Sequence, residues 1–416
     1  MTNVLVTPTK VMREVGRRLV NNWVFTNTVQ RSYDDQYQSD GGKVGYTVNA
    51  RLPQRYTVTK GQALTIQGAN DVIVPITLTD QANVGIEFSS ASLTMEVDSY
   101  KDRYIFPAVD SLINQMDLDG LERMAQATYH HVGTPGVVPG STGTAPQNAV
   151  DVYLGAGVRL SENAIPVENR CACLSPNMHA FLVSATVGLF NPTSDIAAQY
   201  RHGQFGARAL GVDEWYMDQN VNSHTVGALG GTPLVNGASQ TGASIITDGW
   251  SNSITGVVKK GDILTFASVN SVNPLGYQDT GRLRTFVVTA DADSDGSGNA
   301  TISISPSITT TGALKTVTGS PADNAVILIF GHASTYASTV TPQGLVYHPE
   351  AYACVMADLV KPGGLEVSER ISNSELGVSV RFVKDYAIMT DQSPARLDVL
   401  YGWKAVRPEF GCRVSS

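Results

Sequence analysis

Along the chain the apolar positions change period several times, and each change marks an expected element. Val11, Val15, Leu19 and Trp23 recur every four residues behind Thr7-Pro8, a cap followed by a first-turn proline, which predicts an amphipathic N-terminal helix with Arg13 and Arg17 on its other face. From Lys43 to Phe88 the period falls to two. "VGYTVNARL", "YTVTKGQALTI" and "DVIVPITLT" predict strands, with Lys60-Gly61 and Gly68-Ala69-Asn70 as turns. Thr, Gln and Lys fill most outward positions, and a two-stranded ribbon is marginal alone in water, so this hairpin is expected to lie on another surface. Between Arg103 and His130 the residues Phe106, Val109, Ile113 and Met116, then Leu121, Met124 and Thr128, fall close to heptad spacing with a slip at Gly120. That predicts one long helix or two stacked ones.

"GTPGVVPGSTGTAPQ", Gly133 to Gln147, reads as a linker or loop. After it "VDVYLGAGVRLSENAIP" suits a helix and "RCACL" a strand, and Ser175-Pro176 caps another helix through Met178 and Phe181. From Asn220 to about Ile329 the helical period disappears. Short runs such as "DILTFASV", "RTFVVTA", "ATISIS" and "AVILIF" stand between Gly, Ser, Thr and Asn, which predicts an antiparallel β domain. Mixed patterning resumes at "GLVYHPEAYACVMADL", so this β segment is expected to be inserted into a mixed α/β body. No tandem repeat of solenoid period occurs. The terminal "LDVLYGWKAVRPEFGCRV" carries Tyr401, Trp403 and Phe410, and a tail this apolar must be buried in a sheet, its own or a neighbour's. It reads as a strand, a bend at Gly402, and a second strand broken at Arg407-Pro408. Because Pro408 has no N–H to donate, that last strand is expected at an edge or terminus.

The 416 residues suit two or three domains. Charged residues are only 16% of the chain, against about a quarter in an ordinary protein. A surface short of charge but rich in Thr, Ser, Asn and Gly fits a protein that meets many neighbours. The net charge of -8 repels nucleic acid, so DNA binding is not the main task. The first 31 residues reverse that sign, with Lys10, Arg13, Arg17, Arg18 and Arg31 against Glu14 alone, a basic arm on an acidic body. Four scattered cysteines make no disulfide framework and point to a reducing compartment. Neither a secretory leader nor a run near 18 apolar residues is visible, so a soluble protein that stays where it is made is expected.

Candidate chemistry is sparse. "DADSDGSGNATI" sets Asp291, Asp293, Asp295 and Gly296 at the spacing of a calcium loop, but the twelfth position is Ile302, where a bidentate Glu is needed. The strand-like runs on either side make it an acidic hairpin tip, whose carboxylates suit a basic neighbour. Cys171 and Cys173 share a strand face without a second close pair to complete a zinc site, and are read as buried inert thiols. No H-E-x-x-H, G-x-S-x-G, P-loop or dinucleotide fingerprint is present. The chain is read as a non-enzyme with no metal and no cofactor.

The terminal run, preceded by "ELGVSVRFVKDYAIMTDQSPA", resembles the C-terminal end of tailed-bacteriophage major capsid proteins of the Hong Kong 97 phage fold. The likeness is nearest to the podovirus P22 branch, which carries an inserted β-barrel domain. "QYRHGQFGARALGVDEWYMDQNV", "VKKGDILTFASVNSVNP" and "GLVYHPEAYACVMADLVKP" are similar to the entry, opening core and exit of that insert. The resemblance implies an α+β capsid fold. Its parts would be an N-terminal arm over 1–42, an extended loop over 43–90 and a peripheral domain with a spine helix over 91–150. An axial domain with the C-terminal strands would take 151–219 and 345–416, with the insert at 220–344. It also implies hexamers and pentamers in an icosahedral shell enclosing double-stranded DNA, held weakly on the inner surface. Assembly in the host cytoplasm would involve a scaffolding protein, a portal protein and a decoration protein as a further partner, with no membrane. Contacts with scaffold or neighbouring subunits are expected at Arg13, Arg17, Arg18, Lys60, Asp291, Asp293 and Asp295. The competing reading, a secreted β-rich adhesion or carbohydrate-binding protein, predicts a leader and paired cysteines, which the sequence does not display.

Overall fold

The computed structural model describes residues 23–31, 47–62, 66–68, 72–89, 106–141, 148–186, 209–332, 334–373, 378–390 and 392–416. The expected N-terminal helix with Arg13, Arg17 and Arg18, and residues 142–147 of the Gly/Pro/Thr stretch, lie outside them. The described chain is α+β and divides into two compact units. One comprises 1–52, 73–120 and 352–406, the other 53–72, 121–351 and 407–416.

The first unit is built on the strand Gln392–Ala405. Asp80–Ser89 pairs antiparallel along one side of it, from Ser89 opposite Gln392 to Asp80 opposite Tyr401. The other side takes Val378–Lys384 opposite its first half and Tyr352–Ala357 opposite its second. Val367–Asn373 completes the five-stranded sheet. The expected bend at Gly402 does not occur, because Gly402 pairs in register with Val355. Glycine is required there for close approach instead: a Cβ would sit 2.3 Å from the Thr77 carbonyl oxygen. Thr47–Leu52 and Val72–Thr77 form a small two-stranded sheet whose Ala50 and Ile76 share a core with Val355 and Val406.

The helical pattern yields one continuous helix, Phe106–Ala127, which begins in this unit. The slip in its heptads has a packing cause. Gly120 faces the Trp403 indole so closely that a methyl group would lie 2.6 Å from the ring. Residues 23–31 are stitched to the same helix. The Asp117 carboxylate, itself buried, accepts from the Val24 and Thr26 amides, each at 3.0 Å, and from the Thr26 hydroxyl. Phe25 stacks on Trp403 with ring centroids 5.5 Å apart.

The second unit contains a mixed sheet in the order His130–Gly133, Gly411–Ser415, Val340–Tyr347, Cys171–Leu174, Glu214–Met217. Gly411–Ser415 is therefore interior, parallel to one neighbour and antiparallel to the other, and the edge position expected from Pro408 is wrong. Pro408 starts a 3-10 turn, Pro408–Phe410, that ends before the strand, so its missing donor costs the ladder nothing. The four-residue strand at His130 is too short to show a period and went unread in the sequence. Helix Ala149–Glu162, capped by Asn148 accepting from Val150 N at 3.1 Å, buries Tyr153, Ala156 and Leu160. Helix Pro176–Thr186 is capped by the Ser175 hydroxyl accepting from Met178 N at 3.3 Å.

Between the sheet strands Glu214–Met217 and Val340–Tyr347 the chain makes the expected antiparallel insert. Six strands run in the order Ile327–Ile329, Ile263–Phe266, Phe286–Val288, Ala300–Ile308, Gly242–Trp250, Gly231–Val235. The last meets the first again through a bridge between Leu234 and Val326, with Val235 N donating to Ala325 O at 3.0 Å and Asn324 N to Val235 O at 2.9 Å. The sheet is thereby closed into a barrel, which removes its edges. Ile245, Phe266, Phe286 and Ile302 fill the interior. A side hairpin, Asn270–Val272 with Asp279–Leu283, stands outside the ladder of the barrel.

Candidate functional site

The ribbon between the strands Thr47–Leu52 and Val72–Thr77 departs from the sequence expectation in one respect. "YTVTKGQALTI" was expected to be a strand, but residues 53–62 contain none. Pro53 lacks an amide donor where the first strand ends, and a single side chain replaces the ladder further out. Gln67 Oε1 accepts from Thr57 N at 2.9 Å and from the Thr57 hydroxyl at 3.1 Å, while Gln67 Nε2 donates to Thr57 O. One amide group thus satisfies both backbone groups of Thr57 and ties the two arms together.

Beyond that tie the ribbon presents apolar side chains to solvent. Val58 is 90% exposed and Ile66 87%, with Tyr56 also exposed and Lys60 at the turn beside Gly61. Each aliphatic side chain left in water forgoes about 1.5–3 kcal/mol that burial would supply. At its base the ribbon is fastened by Arg55 Nη2 to Glu409 Oε1 at 3.4 Å.

The acidic tip lies between strands Phe286–Val288 and Ala300–Ile308, as expected for a hairpin. Its carboxylates do not converge. Asp291 Oδ1 accepts from Lys260 N at 2.7 Å and Asp293 Oδ1 from Gly256 N at 2.6 Å. Asp295 caps its own turn, accepting from Ser297 N and Asn299 N, each at 2.8 Å, and from Asn299 Nδ2 at 3.0 Å. The Asn299 bonds, backbone first, hold the Asp295 carboxyl below its ordinary value. Among the described residues no group of three His, Cys, Asp or Glu is arranged to hold a metal ion.

All four cysteines are free and buried. Burial pushes the Cys171 and Cys412 thiols up to about 12, so neither is a nucleophile at neutral pH. The barrel and the mixed sheet are joined by groups the sequence did not reveal. Asp262, fully buried, accepts from Gly227 N at 3.1 Å and Lys259 N at 2.8 Å and bonds His224 Nε2 at 2.7 Å. The Arg413 Nη2 donates to Gly261 O at 2.6 Å, and the Arg284 guanidinium lies 4.8 Å from the Tyr129 ring centre. Lys259 aside, these partners lie between 35 and 155 residues apart, and no local motif announces them. Among the described residues no helix is long and apolar enough to cross a membrane.

The family model described as "P22 coat protein - gene protein 5" matches residues 11–415. No curated protein matches the sequence. Among solved structures, the chain is similar to one from Mycobacterium phage Che8, at 14% identity and a TM-score of 0.49, covering 94% of this chain and 91% of that one. It is similar to the capsid of Ralstonia phage GP4 at 9% identity and a TM-score of 0.42, covering 94% and 87%. A CUS-3 coat protein I-domain matches at 24% identity and a TM-score of 0.18, over 24% of this chain and 94% of that one.

Proposed function

The chain belongs to the P22 coat protein family, and on that premise we propose that it forms an icosahedral phage head through a scaffold-assisted procapsid that expands as double-stranded DNA enters. At the coarser level it is a self-assembling bacteriophage coat protein, a structural component of the virion capsid. The observation that carries the finer reading is the ribbon, whose Val58 and Ile66 stand almost wholly in water. In a shell of hexamers and pentamers that ribbon lies on an adjacent copy, and many modest contacts of this kind sum through multivalency.

The domain assignment follows the same reading: an arm over 1–42, an extended loop over 43–90, a peripheral domain over 91–150 and an axial domain from 151–219 with 345–416. The insert occupies 220–344, and its closed barrel supports that assignment. Assembly takes place in the host cytoplasm with scaffolding, portal and decoration proteins as partners, and the net charge of -8 keeps packaged DNA from adhering. Arg13, Arg17 and Arg18 meet an acidic patch on scaffold or neighbour. Lys60 pairs with a neighbour's carboxylate. The oxygens of Asp291, Asp293 and Asp295 that face solvent reach a basic partner.

The test substitutes Val58→Asp together with Ile66→Asp. Exposed changes of this kind alter folding stability by only about 0.5 kcal/mol, so the melting temperature should hold while the yield of sedimenting shells falls at least about tenfold. Unchanged shell yield would overturn the ribbon contact. The same assay reads Lys60→Glu, charge reversal at Arg13, Arg17 and Arg18, and Asn at the three aspartates. Each should lower shell yield or scaffold content, and each contact is discarded where neither moves.

A further inference from the structure

The side hairpin Asn270–Val272/Asp279–Leu283 adds no strand to the closed barrel, yet its turn is held in place with unusual care. Asn273 Oδ1 accepts from Leu275 N at 2.9 Å and Gly276 N at 3.0 Å, and the turn closes with Tyr277 N donating to Asn273 O at 2.8 Å. The other side of the same amide, Asn273 Nδ2, donates to Glu162 O at 2.9 Å, at the end of helix Ala149–Glu162. Arg282 adds an ion pair to the Glu162 carboxylate at 2.8 Å. The hairpin is therefore braced against the mixed-sheet part of the unit at its turn, through Asn273, and at its second strand, through Arg282.

What this brace presents is Tyr277. Its φ is +55°, a left-handed backbone that costs a tyrosine energy and that glycine or asparagine adopts far more readily. Such a residue persists where the surroundings impose it, and outliers of this kind cluster at functional positions. The strained backbone carries the phenol to the base of the ribbon. One hydroxyl proton is shared between Ala313 O at 3.1 Å and Tyr56 O at 3.4 Å. Tyr56 is the neighbour of Arg55, which holds Glu409, and of Thr57, which is tied to Gln67. Beside its internal Thr57–Gln67 tie, the ribbon thus has two fastenings to the rest of the unit in two consecutive residues, Arg55 and Tyr56, and the second comes from the insert.

We propose that Tyr277 is a positioning residue through which the inserted domain sets the direction in which the ribbon leaves its own subunit, and so the geometry of the contact with the next copy. This rests on the ribbon reading given above. A hydroxyl shared at these lengths is a light restraint. It suits a joint whose angle must be set during assembly and can still adjust, whereas a fully formed strand ladder would fix the ribbon outright. Through this joint the insert acts on the ribbon's contact without itself being part of that contact.

Two variants test this in the full-length chain. Tyr277→Phe removes only the hydroxyl, and Tyr277→Gly removes the whole side chain while relieving the left-handed strain. A purely structural role for Tyr277 requires the glycine variant to melt lower. The proposal expects its melting temperature to be equal to or above that of the parent, and amide hydrogen exchange at residues 55–58 to rise at least about threefold in both variants. Particles seen by electron microscopy should show a broader spread of diameters. Unchanged exchange at 55–58 overturns the proposal, whether or not particle diameters change, because any effect would then bypass the ribbon. If the Val58→Asp/Ile66→Asp chain abolishes shells while both Tyr277 variants behave as the parent, only this inference fails. Should the aspartate pair also leave shells intact, the ribbon reading fails with it.

Discussion

His130 shows how much chemistry a single side chain can hide in a short strand. It is buried, and desolvation, with Arg284 and then Arg159 adding to it, holds its imidazole well below the ordinary value. His131 is lowered in the same way, by burial first and then by Arg413. The unfolded chain takes up these protons near pH 6.5, whereas the native chain does not. Stability is therefore complete above about pH 6.5 and is lost as the pH falls toward the native values, since the unfolded state binds more protons there. Asp218, whose carboxyl is raised by burial, opposes this at lower pH. The urea midpoint should drop between pH 7.5 and 5.5. His130→Asn should flatten that slope by up to about 1.4 kcal/mol per pH unit, one proton's worth, and an unaltered slope would contradict the burial account. At this scale little was legible in advance. The sequence contains the pair His130-His131, but nothing local says that both enter a sheet beside the chain's last strand.

Elements were read more successfully where their apolar period was long. The helix from Phe106, the helix from Ala149 and the runs of the barrel all stand where their patterns put them. Errors fell where a glycine or proline was interpreted without its neighbour. Gly402 suggests a bend when its sequence neighbours alone are considered, although it is the gap that admits the Thr77 carbonyl. Pro408 suggests an edge or terminal strand, and the strand after its turn is the chain's last but lies inside the sheet. In both cases the deciding atom belongs to a residue far off in sequence. The long helix makes the same point with Asp117, an acidic residue at a heptad flank that proves to be the acceptor for residues 24–26. Asp117→Ala would leave those donors buried without their acceptor and should cost about 2–3 kcal/mol. Urea unfolding followed by the fluorescence of Trp23 and Trp403 would measure it, and a loss under about 0.5 kcal/mol would show that the segment is held by Phe25 packing alone.

For the whole molecule, the order of elements was more informative than any motif. A mixed α/β body with an antiparallel β domain inserted into it is visible in the patterning, and the structure closes that domain into a barrel between two sheet strands. The family match over 11–415 gives that order its meaning as a coat protein. What could not be read is how the parts hold one another, because joints such as Asp262 with His224, Arg413 with Gly261 and Tyr277 with the ribbon each unite residues that pattern analysis treats separately. The low charge content and the apolar ribbon belong together at this scale. A surface poor in charge permits many contacts, and in the proposed shell the exposed Val58 and Ile66 of the ribbon would supply one of them.

Cryo-electron microscopy of particles assembled from the full-length chain, with its scaffolding protein present, tests this account most directly. The prediction is uniform closed shells in which density for Val58 and Ile66 is buried against a neighbouring copy. Discrete monomers at high concentration, or shells in which the ribbon folds back onto its own subunit, would contradict it.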